Sequence, residues 1–307
     1  MTRSTLRCAF LSTDNLDGYV VDDQRAYDAL ASRGVDVRAV SWRERGVNWG
    51  EFDLVVVRST WDYHEHVEAF FKVLESIDQS SALLANPLWA MRWNARKTYL
   101  NELREHGVPI VPTVFGDRMD RVALSALAAH FGQAQWIVKP DVGANASGVV
   151  RVHGKPDAQQ SRRLLDNFGA RGYLAQPFVD DVTQHGEYSL FYFAGDYSHG
   201  IVKTPAAGDF RVQEEHGGRI VALTPPAPLR AAADKVCGAL PPDCLYARID
   251  LVANERDAFE VMEVELIEPS LYLRMDAAAP DRFARALCGW YRKHKNQAAK
   301  KRGQADV

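Results

Sequence analysis

The 307-residue sequence lacks the features that mark several large classes of protein. It has no apolar run of the roughly 18 residues that a membrane-spanning helix requires, which argues against an integral membrane protein. Basic residues are not in excess, and the formal net charge of −3 gives no general attraction to nucleic acid or to an anionic lipid surface. We therefore expect neither nucleic acid nor a membrane among its partners.

Cysteine is scarce and shows no pairing pattern. The chain has four cysteines, none of which belongs to a CxxC pair. The spacing of Cys237 and Cys244 suits neither a zinc knuckle nor a redox motif. We expect buried, reduced thiols, which are typical of a cytoplasmic protein.

A recognisable catalytic nucleophile is also missing. We find no arrangement of serine, histidine and aspartate, or of cysteine and histidine, that predicts covalent catalysis. His64 and His66 form an HxH pair, but beside aromatic residues such a pair also fits the start of a solvated helix. Chemistry through a covalent enzyme intermediate is therefore not predicted.

The first third of the chain alternates strands and helices. RCAFLST, VDVRAV, FDLVVVRS and SALLA are strand candidates, and helical patterns cover 22–33 and HVEAFFKVLESI. This βαβ rhythm predicts a parallel sheet within a first domain at 1–85. The segment NPLWAMRW at 86–93 is predicted to be a connector, followed by a helix over 95–106.

From about residue 108 the pattern changes to paired strands. QWIVKP pairs with GVVRVHG, GEYSLFYFAG with YSHGIVKT, and LYARIDLVAN with AFEVMEVELI, with helices predicted at 156–168, 226–239 and 279–293. Short turns between strands indicate antiparallel sheet. The fold class is therefore α/β followed by α+β, with a second domain at 86–295 and a basic tail at 296–307 that we expect to be disordered.

The segment VMEVELIEPSLYL carries three glutamates. Glu263 and Glu265 share one face of a strand, and a tight turn over ERD at 255–257 would place Asp250 opposite Glu263. Like charges on facing strands repel, and a hard cation such as Mg²⁺ offsets that repulsion. A solvated strand face explains the glutamates equally well when they are taken alone. Glu268 has an odd spacing from Glu265, so we assign it to the other face or to the turn.

Three further segments carry cations, small residues or an acid. In QWIVKPDVGANASGVVRV, Lys139 precedes a loop of small residues suited to binding phosphate, although the loop matches neither the Walker A nor the GxGxxG pattern and also fits a plain hairpin. YLAQPFV leads into a polar loop and Glu187. Lys203 and Arg211 lie within IVKTPAAGDFRVQEEHGG.

The order of these segments resembles the ATP-grasp superfamily of carboxylate–amine ligases, in the branch with glutathione synthetase and the ribosomal-protein glutamate ligase. The resemblance covers about 86–293, and 1–85 resembles the Rossmann-like domain that precedes the ATP-grasp fold. TDNLDGYVVDD, RSTWDYH, NPLWAMRWNARKTYL, KTPAAGDFRVQ and ELIEPSLYL are most similar to the subgroup containing the cycloserine-forming synthetase.

The resemblance implies ATP as cosubstrate and assigns roles to individual residues. Arg211 and Lys203 would be catalytic cations, and the hinge that reads adenine would lie at 176–179. The metal ligands would hold Mg²⁺ or Mn²⁺, although the third position is commonly asparagine and is Glu265 here. The nucleotide-binding set is Lys97, Lys139, Gly143, Ala144, Ser147, Gly148, Gln176, Pro177, Phe178, Val179 and Glu187, and the metal set is Asp250, Glu263 and Glu265.

The implied reaction activates a carboxylate of a small amino-acid-like molecule as an acyl-phosphate, which an amine then attacks. The amide-type bond would form between two molecules or by ring closure within one, in small-molecule biosynthesis. Two alternatives stay open: an ATP-grasp kinase that stops at phosphoryl transfer, and a non-catalytic nucleotide-binding protein. The sequence names neither substrate and leaves a homodimer open.

Substrate-binding residues are expected mainly at the carboxyl ends of the first-domain strands, where open α/β sheets bind ligands. Arg58 follows the apolar strand DLVVV and is suited to bind a carboxylate. In the alternative interpretation, Arg58 and Asp62 form a structural ion pair and Trp61 packs between the domains. The full candidate set is Arg58, Ser59, Asp62, Tyr63, Asp14 and Arg274.

Overall fold

The first sheet lies in the N-terminal part of the chain. The protein is described by a computed structural model that covers residues 5–143, 147–254, 256 and 258–305, with the backbone alone for 298–305. All four strands of the first sheet are parallel, in the order β2-β1-β3-β4, as predicted. Its elements are β1 Leu6–Ser12, α1 Asp23–Ala31, β2 Val35–Ser41, β3 Leu54–Ser59, α2 Val67–Asp78 and β4 Leu83–Ala85.

Every residue of β3 is buried, because the helices of a parallel sheet cover both of its faces. The segment that follows β4 departs from the prediction. Residues 86–93 are not a plain connector: α3 spans Leu88–Asn94, and the next helix, α4, begins only at Tyr99 and ends at Glu105. Met91 is fully buried in the core of the first sheet. Tertiary packing of this apolar face therefore favours a helix that the short segment did not reveal.

The second sheet is antiparallel and contains the predicted QWIVKP hairpin. Its strand order is β5-β8-β6-β7, and its apolar face packs on two helices through buried Trp136 and Phe168. The elements are β5 Val114–Gly116, α5 Arg121–Phe131, β6 Gln135–Pro140, β7 Val150–His153, α6 Ala158–Phe168 and β8 Tyr173–Pro177.

The third sheet is also antiparallel, in the order β11-β10-β9-β12-β13, and it contains the two other predicted hairpins. Asp250 lies opposite Glu263, as predicted. Within the predicted turn at 255–257, Glu255 and Asp257 lie outside the described residues. The elements are α7 Asp181–Gln184, β9 Glu187–Phe193, β10 Asp196–Thr204, β11 Arg219–Leu223, α8 Ala227–Ala239, β12 Tyr246–Ala253 and β13 Phe259–Glu265.

The last helix, α9, spans Ala279–Ala305. Its first half packs Phe283 and Leu287 into the core beneath the first sheet. The prediction of a disordered tail is wrong for 296–305, which continue this helix; 306–307 lie outside the described residues. A nucleated helix extends readily through alanine, lysine, arginine and glutamine, which have high helix propensity. Among the described residues, no helix is both long and apolar enough to cross a membrane.

Two buried side chains join the first sheet to the third. The Asn86 amide donates to the carbonyls of Tyr246, at 2.9 Å, and Leu266, at 2.7 Å. The Tyr246 hydroxyl lies 2.8 Å from the carbonyl oxygens of both Val57 and Ile267. Because these polar groups are buried and hydrogen-bonded to one another, they fix the end of β3 against the chain that leaves β13.

Candidate active site

A single cavity brings most of the predicted site residues together. One wall consists of side chains of the third sheet, and Lys139 and Ile137 of the second sheet lie in the opposite wall. Tyr19, Trp61 and Tyr63 of the first domain line the same cavity. The site is therefore built by all three sheets.

The acidic side chains of the third sheet lie in one patch. Adjacent strands place Arg248 opposite Glu265, and Asp250 opposite Glu263. Lys97 Nζ lies 2.9 Å from Glu263 Oε1, and the Arg248 guanidinium lies 2.9 Å from the Asp250 carboxylate and also pairs with Glu265. One facing pair across the two strands therefore has opposite charges, and the next pair has like charges.

Burial and charge act differently on these carboxyls. Burial would raise the pKa of Asp250, but the positive charges of Arg248 and Lys203 outweigh it and lower that pKa. Burial raises the pKa of Glu265 to about 7, with Arg248 opposing the shift and Asp250 and Glu263 adding to it. Arg248 therefore offsets the extra negative charge of Glu265. Sequence reasoning missed Arg248, although its position two residues before Asp250, on the same strand face, was a usable signal.

The donor set suits a hard cation, but the carboxylates are held in ion pairs. Asp250, Glu263 and Glu265 supply the oxygen ligands that Mg²⁺ prefers. In the described part of the chain, however, no group of three or more acidic, histidine or cysteine side chains is already arranged to hold a metal ion. A divalent ion would bind by competing with Lys97 and Arg248 for these carboxylates.

The lysines of the cavity fall into two groups. Lys203 lies 2.5 Å from Glu187 Oε1 and 3.4 Å from Asp250 Oδ2; burial would lower its pKa, but these two carboxylates outweigh that effect and raise it. Lys139 makes no ion pair with any described residue; its Nζ lies 3.2 Å from the Met262 sulfur, and burial lowers its pKa. Lys139 is therefore available to an anionic ligand.

The predicted phosphate loop and hinge reach the cavity in part. Gly143 and Ser147 line it, and Lys97 Nζ donates to the Gly143 carbonyl at 2.8 Å. Ala144 lies outside the described residues. Gly148 has a φ of 72° but is not among the lining residues.

In the hinge, Phe178 and Val179 line the cavity. Gln176 points elsewhere, because its amide donates to the Thr113 hydroxyl at 2.9 Å, and Pro177 is also outside the lining. Arg211 lies at the rim, where its guanidinium is 2.7 Å from the Asp209 carboxylate.

Most of the predicted substrate residues do not face the cavity. Tyr63 lines it, but Arg58 is only 3% exposed, pairs with Asp23 at 3.1 Å and donates to the Pro269 carbonyl at 3.2 Å. The alternative ion pair with Asp62 is also wrong, because α1 brings Asp23 against the end of β3. The remaining candidates are engaged as follows: Ser59 with Asp23, Asp62 with Arg43 and Trp42, Asp14 with Ser41, and Arg274 with Asp22 and Glu214.

Glu268 lies in the turn after the strand, which is one of the two predicted places. It nevertheless lines the same cavity as Glu263 and Glu265 and is only 8% exposed. Burial raises its pKa well above the ordinary range. The strand ends at Glu265, and the irregular backbone that follows no longer alternates its side chains between two faces. Strand periodicity therefore could not locate Glu268.

Two antiparallel sheets that enclose a cavity lined with lysines, arginines and carboxylates, behind a parallel-sheet domain, define an ATP-grasp ligase. Residues 8–86 match a family model described as the N-terminal domain of D-cycloserine synthetase DcsG. The cycloserine biosynthesis protein DcsG of Streptomyces lavendulae is 33% identical over 279 residues, which cover 85% of this chain and 90% of that protein. The chain belongs to the family of ATP-grasp ligases that contains DcsG.

Solved structures agree. The crystal structure of D-cycloserine synthetase DcsG matches 93% of this chain and 99% of its own, with a TM-score of 0.81 and 29% identity. D-alanine–D-alanine ligase from Bacillus anthracis, complexed with ATP, matches 95% of this chain and 99% of its own, with a TM-score of 0.69; at 16% identity it shows the fold alone. The predicted family and fold class are confirmed, and the roles of individual residues stay predictions.

Proposed function

We propose that this ATP-dependent carbon–nitrogen ligase activates the carboxylate of a small amino-acid-like molecule and joins it to an amine of the same molecule, as in the formation of cycloserine. The observation that carries the proposal is the cavity itself, in which Lys139 faces strands whose register juxtaposes Arg248 with Glu265 and Asp250 with Glu263. This arrangement suits an ATP phosphate chain beside a second anion. The cytoplasm, where ATP is abundant and thiols stay reduced, is the proposed location.

The reaction has two steps. A carboxylate oxygen of the substrate attacks the γ-phosphorus of ATP, and the bond between that phosphorus and the ADP oxygen breaks. The amine nitrogen then attacks the acyl carbon, the carbon–oxygen bond to phosphate breaks, and the nitrogen loses a proton. Phosphoryl transfer needs positioning and charge neutralisation more than covalent help from the protein.

The side chains of the cavity supply that neutralisation. Lys139, which forms no ion pair with the described residues, is placed to contact the phosphates, and Arg248 lies where the acyl-phosphate would gather negative charge. Arg211 at the rim would close over the transferred phosphoryl group. The walls would also exclude water, which protects an acyl-phosphate from hydrolysis.

A divalent ion completes the proposal. Asp250, Glu263 and Glu265 would hold Mg²⁺, or Mn²⁺, and the ion would neutralise and align the phosphates. Glu265 in place of the more usual asparagine adds a negative charge that Arg248 already offsets. We therefore expect the activity to need an ordinary divalent ion and not a more highly charged one.

The test is an assay of ADP and free phosphate with ATP, Mg²⁺ and a panel of D- and L-amino acids that include serine and alanine derivatives. A ligase releases both products only when a carboxylate substrate is present. A kinase would instead yield ADP with a stable phosphorylated product and little free phosphate, and a non-catalytic protein would yield neither. For substitutions of the cavity glutamates in this assay, Glu260→Gln is the matched control, because Glu260 lies on β13 but outside the cavity.

A further inference from the structure

Glu268 differs from the other buried or half-buried carboxylates of the cavity; Glu215 also lines it without an ion pair to a described residue, but Glu215 is exposed. Glu187, Asp250, Glu263 and Glu265 each form an ion pair with a lysine or an arginine. Glu268 takes part in no ion pair with the residues that the structure describes, and yet it is buried, with only 8% of its surface exposed. A buried carboxylate without a partner is costly. A cationic ligand would remove that cost.

Aromatic side chains, as well as the cations that pair with the other carboxylates, lie near Glu268. The rings of Tyr19 and Trp61 lie 4.9 Å apart between centroids, and both line the cavity together with Tyr63. The Trp61 indole N–H donates to the main-chain carbonyl of Glu268 at 2.9 Å. Aromatic faces attract cations. A carboxylate beside such faces has the chemistry that recognises an ammonium group.

The segment that carries Glu268 is held firmly in place. It leaves β13 and has no strand partner, yet most of its carbonyls accept hydrogen bonds from buried side chains of other elements. Three of these donors, Arg58, Trp61 and Asn86, come from the first domain or its junction. The pairs are Asn86 with Leu266, Tyr246 with Ile267, Trp61 with Glu268, Arg58 with Pro269 and His199 with Leu271.

Such a network uses many buried polar groups, and it fixes the backbone from which the Glu268 side chain projects. Buried backbone groups are paired almost without exception. Here the pairing is made by side chains rather than by a strand ladder. The segment therefore presents Glu268 to the cavity in one position, which is the arrangement expected of a recognition residue.

We propose that Glu268 binds an ammonium group of the substrate that is separate from the amine that attacks the acyl-phosphate. The substrate carboxylate would face Lys139 and Arg248, and this ammonium group would face Glu268 and the ring of Trp61. Arg58 and Trp61 act as positioning residues through the carbonyls of Pro269 and Glu268. This inference rests on the proposed ligase function and assigns one residue of the cavity to substrate recognition.

The experiment compares diamino acids with the 2-hydroxy acids of the same skeleton, such as D- and L-2,4-diaminobutyrate with D- and L-4-amino-2-hydroxybutyrate, in the ADP-formation assay, so that both members of each pair keep the second amine that ring closure needs. With the wild-type protein, we expect kcat/KM for the amino acid to exceed that for the hydroxy acid at least tenfold. Glu268→Gln should raise KM for the amino acid at least tenfold, leave KM for ATP within about twofold and abolish the preference. Glu260→Gln should change none of these values.

The outcomes are distinct. If the wild-type protein forms ADP with amino acids and Glu268→Gln keeps the wild-type KM and preference, the inference is overturned and the proposed function stands. If Glu268→Gln shifts the Mg²⁺ dependence or the KM for ATP instead, Glu268 belongs to the metal site and the inference is also overturned. If no carboxylate elicits ADP formation from the wild-type protein, the proposed function fails, and the inference fails with it.

Discussion

The carboxylates of the cavity carry buried charge in two different ways. Asp250, Glu263 and Glu265 each have a cationic partner before any ligand arrives. Glu268 forms no ion pair with a described residue, and its pKa is raised by burial and by the nearby charges of Glu265 and Glu263. The ion-paired carboxylates suit a nucleotide with its metal ion. Glu268 suits a ligand that brings a positive charge.

The largest effect should come from removing the predicted metal ligands. The double variant Glu263→Gln, Glu265→Gln is expected to lower kcat for ADP formation about 1000-fold, because it removes the charge that holds the ion beside the phosphates. KM for the amino acid should change less than about threefold, because the variant retains Glu268. ADP formation within tenfold of wild type would show that the metal assignment is wrong.

Removing Arg248 should leave the ion-paired carboxylates without part of their balancing charge. Arg248→Met leaves Asp250 and Glu265 buried with one cation fewer, and we expect the free energy of unfolding to fall by about 3 kcal/mol. Urea denaturation measures this change. Glu268→Gln is the contrasting variant: burial already raises the pKa of Glu268 well above its ordinary range, so an uncharged amide should leave stability unchanged or raise it. An equal loss of unfolding free energy in both variants would contradict the difference between the ion-paired carboxylates and Glu268.

The support beneath Glu268 can be tested through pH. Burial lowers the pKa of His199 from its ordinary value of 6.5 to about 4, while its ring bonds the Leu271 carbonyl. The unfolded chain then binds the proton more readily, so stability is lost as pH falls from 6.5 towards 4. From pH 7 to pH 5 the loss attributable to His199 should be about 2 kcal/mol.

The measurement compares the free energy of unfolding of wild type and His199→Gln across this pH range. The variant should be less stable at pH 7 but should show a shallower loss on acidification. Parallel curves for the two proteins would rule out a buried neutral His199.

The smallest effect concerns one hydrogen bond. Trp61→Phe keeps an aromatic wall but removes the donor to the Glu268 carbonyl, a loss of about 1 kcal/mol. We expect KM for the amino acid to rise about three- to tenfold, with kcat and KM for ATP within twofold. Trp42→Phe removes an indole bond to Asp62 outside the cavity and serves as the control. A matching rise in both variants would mean that the Trp61 effect is only structural.

Much of the fold could be predicted from the sequence, because periodicity and turns are local signals. The β-hairpins emerged with the correct facing of Asp250 and Glu263, since strand alternation and a short connection determine that register. Residues 88–94 and 296–305 were missed. The first stretch is helical through tertiary packing of Met91, and the second extends a helix nucleated far upstream.

The candidate site was less predictable where backbone irregularity or long-range pairing decides the outcome. Glu268 faces the cavity only because side chains from distant segments bind the carbonyls around it. Arg58 looked available at the end of β3, but Asp23, 35 residues earlier, occupies it. Such partners are close in space and distant in sequence, so no local pattern reveals them.

The central claim is that the cavity activates the substrate carboxylate as an acyl-phosphate, which a neutral amine of the same molecule then attacks while Glu268 holds the separate ammonium group. It is tested most directly by labelling both carboxylate oxygens of the best amino-acid substrate with ¹⁸O and analysing the released phosphate by mass spectrometry. An acyl-phosphate intermediate transfers one ¹⁸O to each phosphate, and this is the result we predict. Phosphate that carries no label would contradict the account.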